Sequence, residues 1–255
     1  MIKFEKTETM GWEGAIRGMR NPMNSWEKSD SGVGCVEEGC LCRNCAHNDD
    51  RYPGDCAGFF IIGPNDLDLM KRLAKGGPVH AKYRRQIFVS VDITAPLYWW
   101  KEFDTYKVGT TANSCSTMHK IHAKEFEFDD FSYEHLLSHV NDETDMFTVT
   151  PSGYSGQWDD ITVLGLTIKA LNHYRNLYLQ TKDKRYWYKL IQLLPSSYNQ
   201  KRTVTMTYEN LYNAYHSRKD HKLDEWRVGF CEWAKSLPYS ELFTMEWEEP
   251  HEQTT

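Results

Sequence analysis

Apolar residues at Leu67, Met70, Leu73 and Ala74 recur at three- and four-residue spacing, the interval that lines one face of a helix. Asn65-Asp66 ahead of them supply capping chemistry, and Gly76-Gly77-Pro78 closes the run. Next, Ile87-Phe88-Val89-Ser90-Val91-Asp92-Ile93 alternates and is β-branched, which predicts a strand with one buried face. Pro96 suits the first turn of a helix running through Trp99, Trp100 and Phe103. Adjacent tryptophans on one helix point in different directions, so one is expected in the core and the other against a neighbouring subunit or a planar ring.

In the second half, Ile161, Leu164, Ile168, Leu171 and Tyr174 form a stripe that predicts a long helix over about 159–181. Further helices are expected at about 130–140, 184–194, 205–218 and 222–236, with breaks at Pro195-Ser196-Ser197 and Lys219-Asp220-His221. Residues 109–118, Gly-Thr-Thr-Ala-Asn-Ser-Cys-Ser-Thr-Met, are small and polar and follow neither period. They predict a loop whose backbone and hydroxyls face something, and Thr148 to Gly156 predicts another. The first 30 residues mix Gly11, Gly14, Gly18 and Pro22 with aromatics and suggest an extended arm. Helices around a central, mostly antiparallel sheet make the expected class α+β, and 255 residues suit one elaborated domain, 1–255, with an insertion at about 30–60.

Apolar residues make up 40% of the chain and charged residues 26%, with no run approaching the roughly 20 apolar residues of a membrane span. Met1 to Lys6 mixes acids with bases and does not read as a secretory signal, so a soluble, cytoplasmic protein is expected. A formal charge of −6 gives no general attraction to a polynucleotide. The basic runs Lys82-Tyr83-Arg84-Arg85 and His216 to Lys222 are either solvated faces or places for a small anion such as a nucleotide phosphate.

Five of the seven cysteines, Cys35, Cys40, Cys42, Cys45 and Cys56, lie in the insertion with His47 beside them. In a cytosolic chain such clustering favours thiolate metal ligation over disulfides. Zinc leads, because four soft ligands in a Gly-rich loop close a tetrahedron, with an iron–sulfur cluster or free thiols as the alternatives. Cys115 and Cys231 stand alone and read as small packing residues. There is no Walker loop, Rossmann glycine fingerprint, nucleophile elbow or helical metalloprotease signature.

Two blocks, about a third of the chain together, resemble the flavin-dependent thymidylate synthases. In the first, Leu69 to Gly77 is similar to that family's helix before its core strand. Ile93-Thr94-Ala95-Pro96-Leu97-Tyr98 then resembles its Ile-Lys-Ala-Pro-Ile-Phe junction. The family continues with a motif close to Arg-His-Arg-x-x-Ser-x-Asn-Glu-x-Ser-x-Arg-Tyr. Thr105 to Thr110 fall on its first half and, after one extra residue, Asn113 to His119 on its second. In the second block, Leu194-Pro195 to Leu211 has the family's spacing between Leu-Pro and its Asn-x-Arg-x-Leu helix. Asn213 and Arg218 match polar positions of that helix, and Glu225-Trp226 matches Gln-Trp.

The resemblance implies one-carbon transfer from methylenetetrahydrofolate to C5 of dUMP, with hydride from reduced FAD and NADPH as reductant, in a homotetramer whose sites are shared between subunits. It implies catalytic and substrate contacts at Ser116 and Arg218, a substrate contact at Glu102, and flavin contacts at Lys107, Thr110, Asn113 and Asn213. The pattern departs from the family's at Thr105, Tyr106, Ser114, Met118, Gln86, Glu102 and Glu209, which stand where it has arginine, histidine, glutamate, arginine, histidine, glutamine and arginine. Lys82, Arg84, Arg85, Lys201 and Arg202 are the candidates to replace the missing cations, since each lost charged hydrogen bond is worth about 1.5–3 kcal/mol. Asn213 and Arg218 lie about 140° apart around a continuous helix, so they share a pocket only if the helix ends near Ser217 or the pocket wraps it. Ser116 can also be a loop-stabilising hydroxyl, and Arg218 a charge complementing a helix C-terminus. Two alternatives stay open: a diverged enzyme acting at C5 of another pyrimidine nucleotide, and a non-catalytic zinc- or nucleotide-binding protein.

Overall fold

A computed structural model describes residues 2–34, 59–137, 147–149 and 156–246. At its centre is a four-stranded, wholly antiparallel sheet in the order β1 (Lys3–Met10), β4 (Phe88–Pro96), β8 (Asn199–Thr207), β5 (Thr111–Ser114). The alternation of β4 sets its sidedness: Val89, Val91, Ile93 and Ala95 are buried and stand opposite Met206, Val204, Arg202 and Gln200 of β8. The other face carries Ser90, Asp92 and Thr94 opposite Thr205, Thr203 and Lys201, none of them buried. One face is thus core and the other polar, a division open to antiparallel sheets. The expected α+β class is what the chain adopts.

Helices α1 (Trp12–Arg20), α2 (Pro64–Lys75), α3 (Leu97–Phe103), α6 (Tyr208–Arg218), α7 (Cys231–Lys235) and α8 (Glu241–Thr244) contribute to the main core. A smaller core forms where α4 (Asp160–Thr181) and α5 (Lys184–Leu193) enclose Ile121, Phe126, Phe131, Leu164, Ile168, Leu171 and Leu190. Asn172 fixes the segment at Phe126 to α4, accepting from the Phe126 amide at 2.8 Å and donating to its carbonyl at 2.9 Å. Two further pairs of short antiparallel strands are present, β2 (Gly32–Gly34) with β3 (Phe59–Ile61) and β6 (Phe147–Val149) with β7 (Gly156–Trp158).

Several expectations change. The opening segment is not an extended arm throughout, because β1 pairs along β4 and α1 buries Trp12, Ala15, Ile16 and Met19. Gly11 makes the corner between them at φ 91°, and a Cβ there would fall 2.1 Å from the Gln86 carbonyl oxygen. Asn65 and Asp66 do not cap α2. Asp30 does, its carboxylate accepting from both their amides at 2.9 and 3.1 Å, while Asp66 turns inward. The helix expected at about 130–140 is instead two short 3-10 turns, Phe128–Asp130 and Glu134–Leu137.

Residues 109–118 are not all loop, since Thr111–Ser114 pairs with β8 as an edge strand. Likewise, the helix expected from 205 begins only at Tyr208, and β8 precedes it. The helix expected over 222–236 divides into a π turn, Glu225–Phe230, and α7. Gly229 lies so close to β1's end that a Cβ would sit 2.3 Å from Ile2 Cγ2. Trp99 and Trp100 are both fully buried, because α3 is wedged between two layers. Trp100 faces the sheet and donates to the Gln200 carbonyl at 2.9 Å, while Trp99 packs on Trp226 with centroids 4.5 Å apart. Cys231 is a buried packing residue as expected, but Cys115 is exposed.

Candidate functional site

The C-terminal ends of α3 and α6 meet in a corner built around Arg218. Its Nε donates to the Tyr106 hydroxyl at 3.0 Å, and Nη1 lies 3.3 Å from Glu102 Oε2. The guanidinium also sits 5.0 Å from the Trp226 ring centroid and 5.6 Å from that of Tyr106, within cation–π range of both. Trp226 is itself locked by Trp99 and Phe230. This arrangement holds one charged fork in one orientation, which is what a preset donor needs.

Glu102 has a second neighbour. His221 Nε2 lies 3.4 Å from Glu102 Oε2, and His221 Nδ1 accepts the Leu223 amide at 3.2 Å. With Nδ1 occupied as an acceptor, a neutral ring carries its proton on Nε2, facing the carboxylate. Oε2 is sealed from solvent and lies near both the Arg218 and the His221 side chains, yet makes no aligned hydrogen bond; Oε1 has no partner among the described residues. The Glu102 side chain is 35% exposed and Arg218 19%, so the corner is open on one side.

No contact among the described residues joins the remaining candidates to this corner. Asn210 donates to the Val108 carbonyl and holds the 107–110 loop against the first turns of α6. Asn213 lies one turn further along and is exposed. In that loop Gly109 takes φ 77°, where a Cβ would come 3.1 Å from Asn210 Oδ1. Lys107 is exposed, and Thr110 has a buried hydroxyl with no hydrogen-bond partner. Asn113 lies on β5 opposite Thr203, on the open face of the sheet. Ser116 follows β5, and its Oγ accepts from the amides of Met118 at 3.3 Å and His119 at 2.8 Å. No contact joins Ser116 to Arg218, whereas Arg218 and Glu102 are joined directly. α6 ends at Arg218 itself, so Arg218 and Asn213 face different surroundings.

Of the candidate replacement cations, three are committed. Lys201 is engaged by Asp92 and Glu5, at 3.2 and 3.3 Å. Arg202 is bonded to Asp104 at 2.8 Å and lies 4.2 Å over the Trp100 ring. Arg84 is fully buried, 4.6 Å over the Tyr212 ring. Lys82 and Arg85 are exposed, Arg85 reaching only a distant Glu209 at 3.9 Å. Tyr106 and His221 were not legible as site members, because the contacts that bring them to Glu102 and Arg218 are long-range: Tyr106 stood out only as a departure from the motif, and His221 only as part of the basic run His216 to Lys222. Cys35, Cys40, Cys42, Cys45 and Cys56 lie outside the described residues, and among those described no cluster of histidine, cysteine or carboxylate could hold a metal. No described helix is long and apolar enough to cross a membrane.

No protein-family model matches the chain, and no curated protein matches it by sequence. Its fold, however, matches solved structures along nearly the whole length. A flavin-dependent thymidylate synthase from Helicobacter pylori, complexed with FAD and dUMP, superposes with a TM-score of 0.57 at 17% identity, covering 95% of this chain and 97% of that one. A second structure of the Helicobacter pylori enzyme with FAD and dUMP gives 0.57 at 16%, covering 96% of each. A UMP/dUMP methylase from Streptomyces cacaoi, bound with 5-Br dUMP, gives 0.52 at 15%, covering 96% of this chain and 95% of that one. The chain therefore has the α+β fold of the flavin-dependent thymidylate synthases. A UMP/dUMP methylase is among the structures that share it.

Proposed function

We propose that the chain is a flavin-dependent enzyme that transfers a one-carbon unit to C5 of a pyrimidine deoxynucleotide. The dUMP of the similar structures is the reference substrate, with methylenetetrahydrofolate as donor and NADPH as reductant. The observation that carries this reading is the Arg218 corner, set in a fold that matches flavin- and dUMP-binding enzymes end to end. Arg218 contacts the pyrimidine edge. Tyr106 and Trp226 hold its plane, so the donors stand in place before the base arrives and little ordering is left to the reaction. Glu102 lies beside the base, and Ser116 approaches the nucleotide from the turn after β5.

The residues present fit a flavin. Lys107, Thr110, Asn113 and Asn213 are the groups that would hold it, and none of these four side chains has a hydrogen-bond partner among the described residues. Reduced FAD supplies the hydride, chemistry no side chain provides. Lys82 and Arg85, exposed and at most loosely paired, are left to meet phosphate charge. The same reading carries a homotetramer with sites assembled from residues of different subunits, and a structural zinc on the cysteine insertion.

Loading the purified protein with FAD and desalting it tests the proposal: visible flavin absorbance should stay with the protein, and a C5-substituted nucleotide should form when donor and reductant are added. Protein that remains colourless after loading would exclude flavin chemistry. Elemental analysis of the same preparation should find one zinc per chain, and none would leave the cysteines as free thiols.

A further inference from the structure

We infer that Glu102 makes the corner select a pyrimidine with an exocyclic amine at C4, the cytosine pattern, over one with a carbonyl there. The inference rests on the reading that Arg218 contacts the base. Arg218 spends Nε on Tyr106 and turns Nη1 toward Glu102, so Nη2 is the donor it leaves without a partner among the described residues. Beside it, Glu102 holds Oε2 against Arg218 and His221 and leaves Oε1 without a partner among the described residues, on a side chain 35% exposed. The corner therefore offers guanidinium donors flanked by a carboxylate acceptor. A carboxylate has lone pairs and no proton to give.

Cytosine presents the complement in the same order. Its N3 and O2 are neighbouring acceptors that suit the guanidinium, and the N4 amine beside them is a donor for Oε1. Uracil presents O4 where cytosine has the amine, setting acceptor against acceptor, and its N3–H faces a group that only donates. The wrong base therefore loses a hydrogen bond and also gains repulsion, the combination that separates near-isosteres most effectively. An amide at position 102 could relieve the repulsion, by turning its NH2 toward O4.

Titration calorimetry on the full chain with FAD present, using dCMP and dUMP as probes, tests the inference. The wild type should bind dCMP at least about fivefold more tightly, the lower end of what one well-made base-edge pair discriminates. Glu102→Gln, whose side chain can either accept or donate, should abolish most of the preference, while Glu102→Asp, which keeps the acceptor, should retain it. Tighter binding of dUMP by the wild type, or a preference that Glu102→Gln leaves unchanged, overturns the inference with the nucleotide site intact. Failure of the wild type to bind either nucleotide overturns the reading of the site beneath it, and the inference with it.

Discussion

Two arginine–carboxylate pairs in this molecule differ in nearly every physical respect. Arg20 and Asp66 are 4% and 0% exposed, with Nε 2.6 Å from Oδ1, and every remaining group is used. Arg20 also donates to the carbonyls of Ser25 and Lys28, and Asp66 Oδ2 accepts from Ser29, from the Asp30 amide and from both the amide and hydroxyl of Ser31. Arg218 and Glu102 are partly open, 3.3 Å apart and imperfectly aligned, with Nη2 and Oε1 unspent among the described residues. A saturated pair ties the segment at 25–31 to α2 and has nothing left for a ligand. An unsaturated pair at the open end of two helices keeps its capacity for one.

The largest expected effect falls on the saturated pair. Asp66→Ala strands a buried guanidinium, and such losses run to about 3–5 kcal/mol. Denaturant unfolding should show the midpoint falling accordingly. A loss below about 1 kcal/mol would mean that water reaches Arg20 and that the two pairs are alike.

Acid should expose the same pair. Burial alone would raise the Asp66 carboxyl, but hydrogen bonds from Ser31, Ser29 and Arg20 and the Arg20 charge outweigh it and hold it below its ordinary value. A carboxyl depressed on folding contributes stability above its unfolded pKa, about 3.9, and that contribution is lost as the pH falls through the folded value. Unfolding free energy measured downward from pH 5 should therefore drop, and Asp66→Asn should flatten the slope. An unchanged slope in that variant would assign the acid sensitivity elsewhere.

At the open pair the cost should move from stability to binding. Arg218→Met removes a half-open charge pair, so stability should change by about 1 kcal/mol or less. Nucleotide affinity should fall roughly 10- to 150-fold, the worth of a charged hydrogen bond of about 1.5–3 kcal/mol. Calorimetry beside thermal melting reads both, and a large melting shift with unchanged affinity would make Arg218 a second structural arginine.

The two pairs were also unequally legible. Regular helices such as α4 announce themselves because Leu164, Ile168 and Leu171 face one core and the opposite side is solvated. β8 did not, because its buried face carries Gln200 and Arg202 ahead of Val204 and Met206. Half the alternation is erased where Arg202 lies over Trp100 and bonds Asp104. α3 misled only in its tryptophans: both are buried, Trp100 toward β8 and Trp99 on Trp226, because the helix packs on two sides while Lys101 stays exposed. Glu102 and Arg218 could be picked out singly by their place in a motif. Their pairing, with Tyr106 and His221, exists only once β8 and α6 have folded back across α3.

The smallest effect is the most discriminating, because Ser116 satisfies both of its readings at once. Its oxygen lone pairs hold the turn by accepting two backbone amides, from Met118 and His119, while the hydroxyl hydrogen is left to donate outward. Both amides belong to exposed residues that water can serve, so Ser116→Ala should cost only about 0.5 kcal/mol and shift melting by roughly 1–2 °C. If Ser116 donates to the nucleotide, affinity or turnover should fall at least about fivefold in the same protein, and Ser116→Thr should restore it because the hydroxyl returns. Equal small losses of stability and affinity would leave Ser116 as a turn residue. The contrast between saturated and unsaturated groups would then stop at Arg218, and the hydroxyl-rich segment after β5 would be an edge of the fold and not a wall of the site.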